Sequence, residues 1–423
     1  MSSPARAGAV RGAPIAVSGW GVVSPIGNDL AAFDDALFSG RSAVRAQALD
    51  LPGIDVPPVA VAAASFDASV RIAPSRLPLD RGTAMALAAA ADAVRVAALD
   101  IGTVDSERLG IFWGSGMAGA ATFEATCRTV FADRRRMRPT SVLTTMPNAP
   151  VAELALAFGA RGAALSYACA CASSAVAIGE AMHAIRAGRI DVAIVGGSES
   201  MLTHGVLASW QAMRVLSPVT LPDVHGRNAR ACRPFAVDRA GFALGEAAAA
   251  FVIESVEHAS RRGAEGRYAL TGYATRCDGV HMTQPDADGQ SRTMRAALDD
   301  AGLEPNAIGY VNAHGTATLA GDAAEAASLA AVFGPGAVPV SSTKAIHGHL
   351  LGAGGAVELL AVLRMLAAGR LAPNGGTDAA DPSLAVDLVT TARPAAALRH
   401  AMSNSFAFGG TNAVLIASLR HAD

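Results

Sequence analysis

The chain has 423 residues, 51% of them hydrophobic and 17% charged, with a formal net charge of −2. That composition fills one large core or two domains and excludes intrinsic disorder, and the near-neutral balance gives no bulk argument for nucleic-acid or membrane-surface binding. The cysteines number five, are scattered and do not form a disulfide framework, a usage that suits a reducing compartment.

Residues 1–12 read as a short, frayed lead without the apolar region of a secretory signal. No run reaches the roughly 18–20 uncharged apolar residues of a bilayer span, so a cytoplasmic protein is expected. Apolar, β-rich runs then alternate with Ala-rich helical stretches. The predicted strands are APIAVSGWGVV at 13–23, LGIFWG from Leu109, DVAIVGG from Asp191, AAFVIES around Phe251, GYVNAHG from Gly309 and NAVLIASL from Asn412. The predicted helices start near Arg81, Ser174 and Ala356, each stopping near a glycine able to cap it. Alternation of this kind predicts an α/β fold, and uniformly apolar strands predict a sheet covered by helices on both faces. The charged stretch SRRGAEGR from Ser260 marks the expected boundary between halves at 13–264 and 265–423. Each half carries a reactive-looking residue near a strand end or helix start, a weak sign of duplication.

Three segments hold functional side chains among small residues: ACACASSA with Cys169 and Cys171, VNAHGTAT with His314, and SSTKAIHGHLLGAGGAVE with Lys344, His347, His349 and Glu358. A thiol at a helix start is activated by the unpaired backbone N–H groups and the dipole there, which makes Cys171 the first candidate nucleophile. A buried, inert cysteine is the commoner outcome, and local reasoning leaves the choice between Cys169 and Cys171 open. A lone C-x-C is a weak metal or redox signal, and no metal site is expected. His314 ends a strand, where open α/β sheets bind ligands. His347 and His349 are too close to share a helix face, and His349 is favoured. The turn GSGMAG from Gly114 lacks the context of a dinucleotide site.

Taken in order, ACASSA, DVAIVGGSES, CRPFAVDRAGFALGEAAA, VNAHGTAT, STKAIHGHLLGAGGAVE and NSFAFGGTNAVL resemble the elongating β-ketoacyl-acyl carrier protein synthases of the thiolase superfamily over nearly the whole chain. The resemblance implies a thiolase-like fold of duplicated α/β halves layered αβαβα. It implies a decarboxylative condensation in fatty-acid or polyketide/polyene biosynthesis that extends an acyl chain by two carbons. Cys171 matches the acyl-accepting cysteine, His314 and His349 the two histidines, Lys344 the lysine, Glu358 its acidic anchor and Phe408 the gating phenylalanine. Thr316 and Thr318 match threonines that contact a phosphopantetheine arm, while Met117, Trp210 and Thr283 fall in the substrate-binding set. No cofactor is implied beyond that arm, which belongs to the acyl carrier protein.

The partners implied are acyl carrier protein and either a second copy or a chain-length partner in a dimer. Carrier proteins are acidic, and the basic run Arg134, Arg135, Arg136 and Arg138, with Arg214, Arg71 and Arg76, is the expected docking patch; a solvated loop is the plainer alternative. Three positions depart from the family pattern: Cys169, His347 where a small hydroxyl residue is expected, and Ala407 where glycine is usual, a change that puts ordinary loop mobility in doubt. They point to a specialised enzyme more than a housekeeping one. Competing readings are a non-catalytic chain-length partner, which would lack the cysteine, a thiolase, which would need a second cysteine near the C-terminal glycine loop where this chain has none beyond Cys277, and, without the resemblance, a cysteine hydrolase.

Overall fold

In the computed structural model, residues 12–72, 78–223, 226–264 and 266–420 are described. The lead at 1–11, the position Arg76 and the expected boundary at Glu265 lie outside them. The strands named β1 (Ile15–Val23), β2 (Leu109–Gly114), β3 (Ala164–Tyr167), β4 (Val192–Glu199), β5 (Ala247–Ser255), β6 (Tyr268–Cys277), β7 (Ile308–Asn312), β8 (Pro339–Ser341), β9 (Asp387–Leu388), β10 (His400–Phe406) and β11 (Thr411–Leu419) form one 11-stranded sheet. Its order is β9-β8-β7-β10-β11-β6-β1-β5-β4-β2-β3. Each arm, counted from its own first strand, runs 3-2-4-5-1, with β9 added at one edge. The outer strands of each arm pair in parallel and the inner ones antiparallel, so both halves repeat one topology. The arms join where Ile15–Val17 pairs with Tyr268–Leu270.

The helices that matter are α1 (Arg81–Val96), α2 (Ala149–Phe158), α3 (Ser173–Arg186), α4 (Ala287–Ala301), α5 (Leu319–Phe333) and α6 (Gly354–Ala368). Helices α3 and α6 lie between the arms and touch strands of both, while α1 and α2 cover the outside of the first arm and α4 that of the second. This is the αβαβα layering the sequence implied. Three apolar cores follow from it, one central and one under each outer layer.

Local chemistry explains the elements. Asp80 caps α1 by accepting from the Gly82 N–H, and α1 then closes on β1 because Gly19 and Gly21 carry no Cβ. A Cβ at either glycine would stand 2.1 Å from a carbonyl oxygen of Ala93 or Ala89. The expected glycine stop of α1 is not what ends it: Ala98, at φ 48, takes the left-handed position. The run Leu351–Ala368, interrupted by Glu358 and Arg364, is long and apolar enough to cross a membrane by length and composition, but 83% of it is buried between the arms. A helix apolar nearly all round is stable in water only when enclosed in this way.

Candidate active site

Cys171 sits in the single turn Ala170–Ala172 that follows β3 and leads into α3. The turn is tied by Ser173, whose Oγ donates to the Ala170 carbonyl and accepts from the Cys169 N–H. The sulfur is buried, which pushes the thiol up to about 12 despite the Lys344 charge and the N–H groups of Phe408 and Cys171 aimed at it. Desolvation disfavours the thiolate more than these groups favour it.

His349 reaches the sulfur from the loop before α6, with Nε2 3.1 Å from Sγ. Its Nδ1 accepts from the Leu351 N–H at 3.3 Å. Burial and the neighbouring Lys344 hold the ring well below the usual histidine range, hence neutral. A neutral imidazole that accepts at Nδ1 carries its proton on Nε2, so His349 presents a donor to the sulfur and to the space around it. His314 lies edge-on to His349 with centroids 5.4 Å apart, and it too is held neutral by burial and Lys344.

Lys344 and Glu358 form an ion pair with each side chain 1% exposed. His347 is fully buried; its Nδ1 contacts the Gly348 carbonyl at 2.7 Å and its Nε2 the Thr343 hydroxyl at 2.9 Å. A carbonyl only accepts, so His347 donates from Nδ1 and accepts from Thr343, as a neutral ring pushed down to about 3.

A cavity of about 280 Å³ opens in front of the sulfur. It brings together Cys171, His314, His349, Phe408, Trp210, Thr283, Thr316 and Thr318 from distant parts of the chain. Phe408 stacks on Trp210 at 6.2 Å, Trp210 meets Phe242 edge-on at 5.8 Å, and Phe242 meets His349 at 5.1 Å, so an aromatic row runs from the loop to the histidine. Thr316 and Thr318 hydroxyls are 3.0 Å apart, and Thr318 also caps α5. In the loop after β10 the positive φ values fall on Gly409 and Gly410, so Ala407 is accommodated without strain.

Other expected residues stand apart. Met117 does not line the cavity; it is 48% exposed, with its N–H donating to Glu199. Lys344 and Glu358 lie behind the histidines and not on the cavity wall. Arg134, Arg135, Arg136 and Arg138 are exposed in the loop after residues 120–131, and Arg214 is exposed beside the cavity residues Met213 and Val215. Arg71 is not a free cation, because Asp92 pairs with it at 2.6 Å. Cys169 is half-buried against the central core. Cys277 is exposed, 3.8 Å from the Gly409 carbonyl and off the cavity wall.

Sequence reasoning missed the acids behind the histidines. Glu325 accepts from the N–H groups of His314 and Gly315 at 2.9 and 2.7 Å and from Asn404, while Asp322 accepts from Phe235 and Ala317. The available signal was two acids, one turn apart, on the first turns of an otherwise apolar helix. The Cys171, His314 and His349 ligand atoms lie within 4.8 Å of one another, close enough for a soft metal ion. The Leu351 N–H at Nδ1 turns Nε2 of His349 toward the Cys171 sulfur as a donor.

A thiol at a helix start, two neutral histidines and a largely apolar cavity on duplicated α/β halves define the condensing-enzyme class of the thiolase-like fold. The N-terminal domain model of β-ketoacyl synthases matches residues 12–259 and the C-terminal domain model residues 268–378. The chain is 37% identical over 413 residues to the 3-oxoacyl-[acyl-carrier-protein] synthase 2 of Staphylococcus aureus (strain COL), covering 95% of this chain and 97% of that one. Among solved structures it resembles the ishigamide ketosynthase/chain length factor, with TM-score 0.87 and 29% identity over 96% of this chain and 99% of that one. It also resembles a chain of a type II PKS acyl-carrier protein in complex with its ketosynthase bound to the hexaketide, with TM-score 0.85 and 26% identity over 96% and 99% of the two chains. The chain belongs to the β-ketoacyl synthase family.

Proposed function

We propose that this chain is a β-ketoacyl-acyl carrier protein synthase, an acyltransferase with Cys171 as its nucleophile. Cys171 attacks a carrier-bound thioester; the C–S bond to the phosphopantetheine arm breaks, the arm leaves as a thiol, and the acyl group stays on Cys171. The N–H groups of Cys171 and Phe408, now directed at the sulfur, receive the oxyanion. Malonyl-carrier protein then loses CO₂, and the electron pair of the broken C–C bond becomes a thioester enolate. His349 and His314 donate to its oxygen, a task for neutral N–H groups that carboxylates cannot perform. The enolate carbon attacks the acyl carbonyl, Cys171 leaves and takes up a proton, and the chain is two carbons longer.

The observation that carries this reading is the donor Nε2 of His349 at 3.1 Å from the Cys171 sulfur in a cavity that Phe408 lines. A non-catalytic chain-length partner would have no use for that pair, and a thiolase would need Cys277 on the cavity wall. Thr316, Thr318 and Thr283 are assigned to the phosphopantetheine and malonyl side, and Trp210 to the acyl wall. Met117 joins that wall only in an assembly that covers it. Its exposure, together with the open edge of β3 and the exposed Phe131, Leu156 and Leu165, supports a dimer with a second copy or a ketosynthase-like partner. Arg134, Arg135, Arg136, Arg138 and Arg214 are the carrier-docking candidates. The two 3-2-4-5-1 arms support halves divided near residue 264. Five free thiols suit a cytoplasmic enzyme.

Mass spectrometry after incubation with acyl-carrier proteins of different chain length and unsaturation, with and without malonyl-carrier protein, tests the reading. Acyl adducts are expected on Cys171 and absent from Cys171→Ala; adducts that survive in the variant overturn the assignment. Reversal of Arg134, Arg135 and Arg136 to Glu is expected to raise KM for the acyl-carrier protein, and an unchanged KM removes the docking role.

A further inference from the structure

Glu199, the last residue of β4, is 1% exposed, and among the described residues no cation pairs with its carboxylate. It is met instead by backbone. Oε2 accepts from Gly116 N–H at 2.6 Å and Gly352 N–H at 3.1 Å, and Oε1 from Met117 N–H at 3.1 Å and the Ser115 hydroxyl at 3.3 Å. Glycine is required at both contact points. A Cβ on Gly352 would stand 2.3 Å from the Gly116 nitrogen and 2.6 Å from Oε2, and one on Gly116 would stand 2.8 Å from the same oxygen. One carboxylate therefore holds the turn after β2 to the loop that carries His349. The residue before Gly352 is Leu351, whose N–H fixes the ring of His349 through Nδ1.

We propose that Glu199 is a positioning residue for the condensation: by anchoring Gly352 to the Gly116–Met117 turn it sets the Leu351 N–H that fixes the tautomer and aim of His349. The inference rests on the synthase reading above. It also links the acyl-side turn at Met117 to the histidine that faces Cys171, so a strained turn on one side is felt on the other.

Burial raises the Glu199 carboxyl to about 7 despite its N–H donors. Once protonated, one oxygen becomes a donor among donors and the tie loosens, so kcat falls as pH drops below that value. Asp80 faces Glu199 across a small void otherwise lined by uncharged groups such as Thr83, Ser198 and Ser200, and His349 beyond the loop is neutral.

The test compares wild type with Glu199→Ala and Glu199→Gln, using kcat and KM for malonyl-carrier protein across pH. A misplacement of about 1 Å in such a group can cost about 10²-fold in rate. Glu199→Ala is expected to lose kcat on that scale with KM unchanged. Glu199→Gln places a fixed neutral donor where the carboxylate had accepted, so it mimics the protonated acid: kcat is expected at the wild type's low-pH level at every pH, and the inflection near pH 7 is expected to shrink. Asp322, also held up at about 7, is present in every variant, so the part of the inflection that Glu199→Gln removes reports Glu199 alone. Should Glu199→Ala not fold, Gly352→Ala pries the same tie apart and is expected to show the same kcat loss. Full kcat in a folded Glu199→Ala or Gly352→Ala, a change confined to KM, or an inflection as large in Glu199→Gln as in the wild type overturns the proposal. A wild type that condenses no acyl-carrier substrate overturns the synthase reading instead.

Discussion

Replacing Lys344 by methionine keeps the length of a side chain that is 1% exposed and removes the charge facing Glu358. Even with Lys344 present, burial holds Glu358 above its ordinary value, and the lysine supplies the influences that oppose it. Breaking one partner of such a pair typically costs about 3–5 kcal/mol, because the other charge is left uncompensated. The loss depends on pH with a definite sign. Without Lys344 the folded-state value of Glu358 rises further above its unfolded value of 4.5. Stability from the protonated form is then fully present below that unfolded value and is lost as pH rises through the folded one. Urea midpoints should therefore show a small deficit for Lys344→Met at acid pH and a large one at pH above neutral. Lys344→Met/Glu358→Gln should recover most of the stability at high pH, since the buried charge is gone. Activity should not recover, because Lys344 also acts on Cys171, His314 and His349. A deficit equal at acid and alkaline pH, or a double variant no more stable than Lys344→Met, would refute the reasoning.

Gly348 has φ 73 and ψ −180, and a Cβ there would press on the Ala243 carbonyl and Ala62 at 3.1 Å. Strain of this kind costs about 1–3 kcal/mol, so Gly348→Ala should turn His349 away from Cys171 and lower kcat, whereas an unchanged kcat would place the aim of His349 elsewhere. With the resting Cys171 thiol pushed up to about 12, its alkylation by iodoacetamide in the absence of substrate should climb about tenfold per pH unit from neutral pH upward. A plateau near neutral pH would show a thiolate stabilised beyond what burial permits.

The layers were legible because apolar runs alternate with helical ones, and the strand end carrying His314 and the loop carrying His349 were legible because small residues crowd them. The joining of the arms was not, since Ile15–Val17 and Tyr268–Leu270 are far apart in sequence and neither run names its neighbour. The buried acids were hidden for the same reason. Glu325, Asp322 and Glu199 look like ordinary surface carboxylates until the backbone N–H groups of other segments are placed against them. Met117 shows the reverse case, a residue whose family position predicts a pocket wall but whose surroundings are not supplied by one chain.

The two cysteines show most clearly what local reasoning lacks. In extended chain, residues i and i+2 point to the same side, so Cys169 and Cys171 would share a face and a fate. Ala170 breaks that rule by taking φ 47, a left-handed conformation that only the Ser173 ties and the start of α3 make tolerable. The reversal leaves Cys169 half-buried against the core between the arms and sends Cys171 into the cluster around the cavity. An alanine gives no sequence sign of such a turn, whereas a glycine would have. The separation of the packing thiol from the proposed nucleophile thus turns on one backbone torsion at Ala170, which lets β3 end and α3 begin within a single turn.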